Sequence, residues 1–156
     1  MTDDTPAIAQ VRAAGIGHEV VRTRPAGSPE ESAELQGIAL GALIRTLVVR
    51  RGEDDYLFVL VPGGRRFEWP KLRAHLGVKR MTMPDPEEAR AVTGYERGAI
   101  TPFGSIRAWP VLVDAAALEH DTVAIGGGAR GVNLHLSPQD IVEHLGAEVA
   151  DLSAPT

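Results

Sequence analysis

The sequence predicts a single mixed domain of the α+β or α/β class, with largely antiparallel strands. Three observations carry this. The length of 156 residues suits one domain that buries a sizeable core without a covalent staple. Helix starts and strand-like runs are interspersed along the chain without a strict βαβ repeat. Two β-branched, apolar runs, 44–50 and 56–61, are joined by the polar stretch 51–55, the signature of an antiparallel hairpin. No repeat, low-complexity tract or linker divides the chain, so one domain over 1–156 is expected. Its core should run from about 5 to 152, with the first four or so residues and the last few frayed.

A first helix is expected over about 5–14, stopped by Gly15, and a weakly alternating strand over 18–22. Three later helix starts share one grammar: Ser28-Pro29-Glu30-Glu31, Asp85-Pro86-Glu87-Glu88 and Ser137-Pro138-Gln139-Asp140. Each offers an N-cap side chain, then proline at the first helical position and an acid at the third. The acids also suit the positive end of the helix dipole. These starts predict helices near 29–38, 86–93 and 138–145, with Gly94 and Gly146 as stops. A short helix over 70–76 begins near Pro70 and ends before Gly77. Further strands are expected at 79–83, 108–113, 122–125 and 132–136, with a short one at 148–151.

Composition removes several function classes. The absence of cysteine excludes disulfides, Cys-ligated zinc or iron–sulfur sites and thiol catalysis. Aromatic residues make up 4% of the chain, too few for broad base-stacking platforms. A formal charge of −5 argues against a DNA-coating protein. The N-terminal Met-Thr-Asp-Asp is acidic and no apolar segment follows, so no signal peptide is expected. The longest apolar run, 56–62, is far too short to span a bilayer, and the cytoplasm is the default location. The charge is uneven, however. Nine cations face four anions between residues 45 and 80, a local +5, while the other seven cations and seventeen anions leave −10 elsewhere. Such a zone suits a small polyanion or forms a solvated face.

No motif of a known catalytic machine is present. There is no P-loop and no G-x-S-x-G elbow. His18, His75, His120, His135 and His144 are scattered, without metal-ligand spacing. Gly126-Gly127-Gly128 and Gly131 follow a strand but do not open a helix, unlike a dinucleotide fingerprint. They make either a turn needing φ > 0 or a backbone surface that approaches a ligand closely. Residues 98–104, Gly-Ala-Ile-Thr-Pro-Phe-Gly, form a rigid loop. It either connects elements or presents N–H groups to a carbonyl oxygen. Arg45 is a lone cation in the apolar run 40–49. It needs a partner or ligand if buried, and otherwise reaches solvent from an edge strand. Asp114 ends a strand, where it caps a turn or pairs with a cation such as Arg45 or Arg130.

Four blocks in order resemble the YbaK-like aminoacyl-tRNA deacylases, which are related to the editing domain inserted in bacterial prolyl-tRNA synthetases. They are 31–41 leading into Ile44-Arg45-Thr46-Leu47-Val48-Val49, and 58–66 followed by 71–77. Next come 93–104, holding the G-x-x-x-P loop as Gly98 to Pro102, and 111–114 followed by 126–131 and 137–141. The resemblance runs from about 13 to 152. It implies a compact domain around a strongly curved mixed sheet. The implied activity is trans-editing: hydrolysis of the ester joining a wrong amino acid, such as alanine or cysteine on proline tRNA, to the 3′-terminal adenosine. The implied partners are the acceptor end of misacylated tRNA and, transiently, prolyl-tRNA synthetase or an elongation factor. DNA and membrane are not among them. No metal or organic cofactor is expected. The resemblance places catalysis on Arg45, Gly98, Thr101 and Pro102. It places substrate contact on Thr46, Ala99, Ile100, Phe103, Gly104, Asp114, Gly126, Gly127, Gly128 and Arg130.

An aminoacyl ester is already activated, so positioning and polarisation of its carbonyl suffice for hydrolysis. One departure matters. The family usually carries Lys where this chain has Arg45; this chain also lacks the His that some prolyl editing domains have near 126–131. Arg stays protonated and cannot act as a base, but it holds phosphate or carbonyl oxygens with two donors. If the Lys role is electrostatic, activity survives with altered geometry. If it needs a compact ammonium, the chain becomes a non-catalytic binder of aminoacyl-tRNA ends or a similar nucleotide.

Overall fold

Proline at the first helical position, preceded by a side-chain oxygen, starts four of the five helices in the computed structural model, which describes residues 4–156. Helix α1 (Pro6–Ala13) is capped by Thr5, whose Oγ1 accepts from the Ile8 N–H. Helix α2 (Pro29–Gln36) is capped by Ser28 through Glu31 N–H, and α4 (Pro86–Thr93) by Asp85 through Glu88 N–H. Helix α5 (Pro138–Leu145) is capped by Ser137 through Gln139 N–H. Helix α3 (Trp69–Leu76) carries its proline one position later and has no side-chain cap. Gly37, Gly77, Gly94 and Gly146 end α2 to α5 in the left-handed region, which glycine adopts without Cβ strain.

The strands are β1 (His18–Arg22), β2 (Ile44–Gly52), β3 (Asp55–Pro62), β4 (Arg65–Phe67), β5 (Val111–Asp114), β6 (Val123–Gly126), β7 (Val132–Leu136), β8 (Glu148–Ala150) and β9 (Ser153–Pro155). They are shared among three sheets, ordered β1-β7-β6, β2-β3-β5-β8 and β4-β9. The ladders β3–β5 and β5–β8 are parallel and the other four antiparallel. A single bridge between Leu43 and Ala124 links the two larger sheets beside the start of β2. The expected hairpin is β2–β3, in register from Ile44 opposite Pro62 to Arg50 opposite Tyr56.

Strand β3 explains why its sequence reads as a continuous apolar run. Tyr56, Phe58 and Leu60 point into one core with α1, β6, β7 and α5. Leu57, Val59 and Val61 point into a second with Leu72 of α3 and Leu152. A strand covered on both faces loses its polar alternation. Each such buried side chain contributes about 1.5–3 kcal/mol relative to exposure.

Three expectations need correction. Residues 79–83 are not a strand: only Thr82 bridges Arg50, because β2 bulges between Arg50 and Gly52 just beyond that pair. The run expected from 108 begins its ladder at Val111. The C-terminus is not frayed. Ser153 to Pro155 pair with β4, and Leu152 and Ser153 are fully buried. The fraying expected at the N-terminus falls largely outside the described residues; Asp4, the first of them, pairs with Arg12. No described helix is long and apolar enough to cross a membrane.

Candidate functional site

An open cavity of about 600 Å³ lies where the two larger sheets meet. That volume falls within the roughly 300–1,000 Å³ usual for small-molecule sites. Its floor is Leu43, Ile44, Arg45 and Thr46, at the entry to β2. One wall is the loop after α4, through Arg97, Gly98 and Ile100. A second is the β6–β7 turn, through Gly126, Arg130, Gly131 and Asn133. The third is the segment entering α2, with Thr23, Pro25, Ala26, Ser28, Pro29 and Ser32.

Among the described residues, the lining holds three arginines and no carboxylate or histidine. Among the described residues, none of Arg45, Arg97 and Arg130 forms a salt bridge. The chain as a whole is acidic, so this concentration of unpaired cations marks a site for an anion. The +5 zone of the sequence is partly offset from outside, where Arg50 pairs with Glu88, Arg65 with Asp114 and Lys71 with Asp151, while Arg51–Asp55 and Arg66–Glu68 pair within it. Only Arg45 of that zone reaches the cavity. Arg97 and Arg130 come from outside it.

Arg45 is half-buried on β2, the edge strand of its sheet. Its Nη2 donates to the Arg65 carbonyl at 3.0 Å, which anchors the guanidinium from one side. Its Nε and the Thr46 Oγ1 are buried and have no hydrogen-bond partner among the described residues. As consecutive residues of a strand, the two direct their side chains to opposite faces of β2, Arg45 on the side of Val61 and Thr46 on the side of Leu60.

The loop and the turn meet by backbone. Gly98 has φ +89, which a side-chain-bearing residue adopts only under strain. A Cβ on Gly126 would come within 3.1 Å of the Ile100 carbonyl oxygen. Across the same junction Arg130 donates through Nε and Nη2 to the Arg97 carbonyl at 3.3 and 3.2 Å. The turn reading of the glycine cluster therefore holds. It is a turn with positive φ at Gly128 and Gly131, and it also lines the cavity through Gly126 and Gly131.

The residues singled out from sequence thus separate into two groups. Arg45, Thr46, Gly98, Ile100, Gly126 and Arg130 line one cavity. The others lie behind it. Thr101 is fully buried, and its Oγ1 accepts from the Phe103 N–H at 3.4 Å. Ala99 and Phe103 are core residues, and Pro102 is buried beside them. Gly104 abuts the backbone of Pro6. The Gly127 N–H donates to the Val132 carbonyl, and Gly128 packs on Tyr95 and Thr5. Asp114 does not reach Arg45 or Arg130. It accepts from the Leu152 N–H at 2.8 Å and the Ser153 Oγ at 2.7 Å, with Arg65 at 3.7 Å. Burial pushes the Tyr95 phenol up to about 12, so it stays a donor, and it holds the Phe103 carbonyl at 2.6 Å.

Sequence reasoning missed Arg97 and Asn133, and also Ser28 and Ser32, which it read only as part of a helix start. His135 does not line the cavity. Burial holds its pKa below the usual histidine range. Its Nε2 bonds Gln36 at 2.9 Å, and Gln36 in turn donates to Ser32 on the cavity wall.

The sequence model of the aminoacyl-tRNA editing domain matches residues 23–144, which contain every cavity-lining residue. Two similar proteins cover most of the chain. One, from Enterococcus faecalis, is provisionally named the Cys-tRNA(Pro)/Cys-tRNA(Cys) deacylase EbsC. It is 27% identical over 81% of this chain and 77% of its own length. The other is the multifunctional Ser/Thr-tRNA deacylase ProXp-y of Escherichia coli K12, 26% identical over 85% and 82%. A solved structure provisionally described as a trans-editing enzyme for prolyl-tRNA synthetase superposes with a TM-score of 0.86. It is 28% identical and covers 95% of this chain and 94% of that one. The chain belongs to the aminoacyl-tRNA editing domain family.

Proposed function

We propose that the protein hydrolyses, in trans, the ester joining a misattached amino acid to the 3′-terminal adenosine of a tRNA. The observation that carries this reading is the cavity itself, lined among the described residues by three arginines, a glycine-rich loop and no acid. The most exposed of them, Arg97 and Arg130, stand at the rim, where the terminal phosphates of the tRNA would meet them. Arg45 and Thr46 line the floor at the entry to β2, where the ester carbonyl would sit.

Water attacks the carbonyl carbon, the bond to the ribose oxygen breaks, and that oxygen takes up a proton. The products are the free amino acid and the tRNA hydroxyl. Negative charge gathers on the carbonyl oxygen in the transition state. This reading assigns it to donors of the lining residues: the Arg45 guanidinium, the Thr46 hydroxyl and the backbone at Gly98. No lining side chain is a general base, so catalysis rests on positioning and on this charge stabilisation. With no carboxylate in the cavity, a cationic amino acid side chain has no counter-charge there. Lysine and arginine esters are therefore the disfavoured substrates, and apolar side chains would rest against Leu43, Ile44 and Ile100. The relatives' names make proline tRNA the first acceptor to test.

The test is release of amino acid from mischarged tRNA with protein limiting. Several equivalents released per protein molecule are expected. Release that stops at or below one equivalent identifies a binder without turnover. The phosphate role has its own expected result. For a single-stranded end the salt slope of log affinity is about −0.7 per neutralised phosphate. Arg97→Ala and Arg130→Ala should each flatten the slope by about that amount, as measured by tRNA binding across a salt series. An unchanged slope in both removes the rim from phosphate binding.

A further inference from the structure

The loop after α4 and the β6–β7 turn form two walls of the cavity, yet no sheet ladder joins them. Helix α1 stands behind both. At its first turn Thr5 Oγ1 donates to the Gly127 carbonyl at 2.5 Å while accepting from Ile8 N–H as the helix cap. Five residues on, the Gln10 side-chain carbonyl accepts from the Gly104 N–H, at the far end of the loop that carries Gly98. Both contacts are close. A Cβ on Gly104 would lie 2.4 Å from the Pro6 carbonyl carbon, and one on Gly128 would lie 3.0 Å from the Thr5 Cβ. The inner face of the helix, Ala7, Ile8 and Val11, is fully buried, so α1 is a fixed strut.

We infer that α1 is a positioning element for hydrolysis, with Thr5 and Gln10 holding the two walls in catalytic register. Neither residue lines the cavity, and both lie outside the segment matched by the family model. Their effect therefore passes through the Gly98 loop and the Gly126 turn. The inference rests on the hydrolase reading, and a displacement of about 1 Å at such a site costs up to roughly 10²-fold in rate.

The test compares Gln10→Leu, which removes the acceptor, with Gln10→Glu, which keeps it, and Thr5→Val with Thr5→Ser. Each is assayed on a mischarged tRNA that the wild type hydrolyses, at a temperature where every variant is fully folded by circular dichroism. Gln10→Leu and Thr5→Val should lower kcat by about tenfold or more with little change in KM, and the conservative variants should recover most of it. Amide NMR provides a readout that needs no activity. In Gln10→Leu the Gly98 and Gly126 resonances should shift, although neither residue touches Gln10. Unchanged kcat in folded Gln10→Leu, or unmoved Gly98 and Gly126 amides, overturns the inference and leaves α1 as a stabilising helix. Shifted amides in a wild type that hydrolyses no tested ester leave the strut standing and overturn the hydrolase reading instead.

Discussion

Arg45→Ala should lower the single-turnover rate of deacylation by about 10²–10³-fold, the usual cost of removing one donor from a developing oxyanion. The stability cost should be small, about 1 kcal/mol, because the guanidinium makes one hydrogen bond among the described residues, to the Arg65 carbonyl. The two effects are separable by pairing the rate with a thermal midpoint. Arg45→Lys is the informative companion. An ammonium keeps the charge but replaces a rigid fork with a point donor on a flexible stem. A lysine that bonds the Arg65 carbonyl turns its charge away from the cavity. A lysine that faces the cavity gives up that anchor. The expected rate lies between wild type and Arg45→Ala. An inactive wild type made active by Arg45→Lys would instead establish the non-catalytic binder.

Asp114→Ala should produce the largest loss of stability, about 3 kcal/mol. Asp114 is 1% exposed and satisfies two donors of the C-terminal segment. Truncation strands the Leu152 N–H and the Ser153 hydroxyl in the core and leaves Arg65 without its counter-charge. Each buried donor left unpaired costs about 1–3 kcal/mol. For a domain of this size the thermal midpoint should fall by about 6–12 °C. A fall of less than about 2 °C would mean that β9 is not held by this carboxylate.

The helices were legible because their signals are local. Ser28-Pro29, Asp85-Pro86 and Ser137-Pro138 each specify cap, first turn and dipole charge within four residues, and the structure starts helices at all three. The β2–β3 hairpin was legible for the same reason. Strands β4 and β9 were not. Each has three residues, and each finds its partner at the far end of the chain. The expected strand at 79–83 had the right composition but a partner already bending away after Arg50.

The site divides along the same line. Arg45 stood out as a cation in an apolar run, and the 98–102 and 126–131 segments as glycine-rich loops; residues of all three meet in one cavity. Thr101, Pro102 and Phe103 looked equivalent to Gly98 and Ile100 because a sequence motif does not show which way successive residues of a loop face. In the structure they pack inward. Arg97 gave no signal because an arginine beside a glycine loop is an ordinary surface residue until Arg130 and Arg45 are placed around the same opening. The +5 zone left two readings open for the converse reason. Its neutralising partners Asp114, Asp151 and Glu88 are distant in sequence and adjacent in space.

The central claim is that this cavity breaks an aminoacyl ester. Its most direct test follows labelled amino acid on a panel of mischarged tRNAs, proline tRNA carrying uncharged amino acids first, with wild-type protein and Arg45→Ala side by side. The expected result is release above the buffer rate from at least one species by the wild type, and near-buffer release by Arg45→Ala. Release at the buffer rate from every species by folded wild type, or equal release by both proteins, would contradict it.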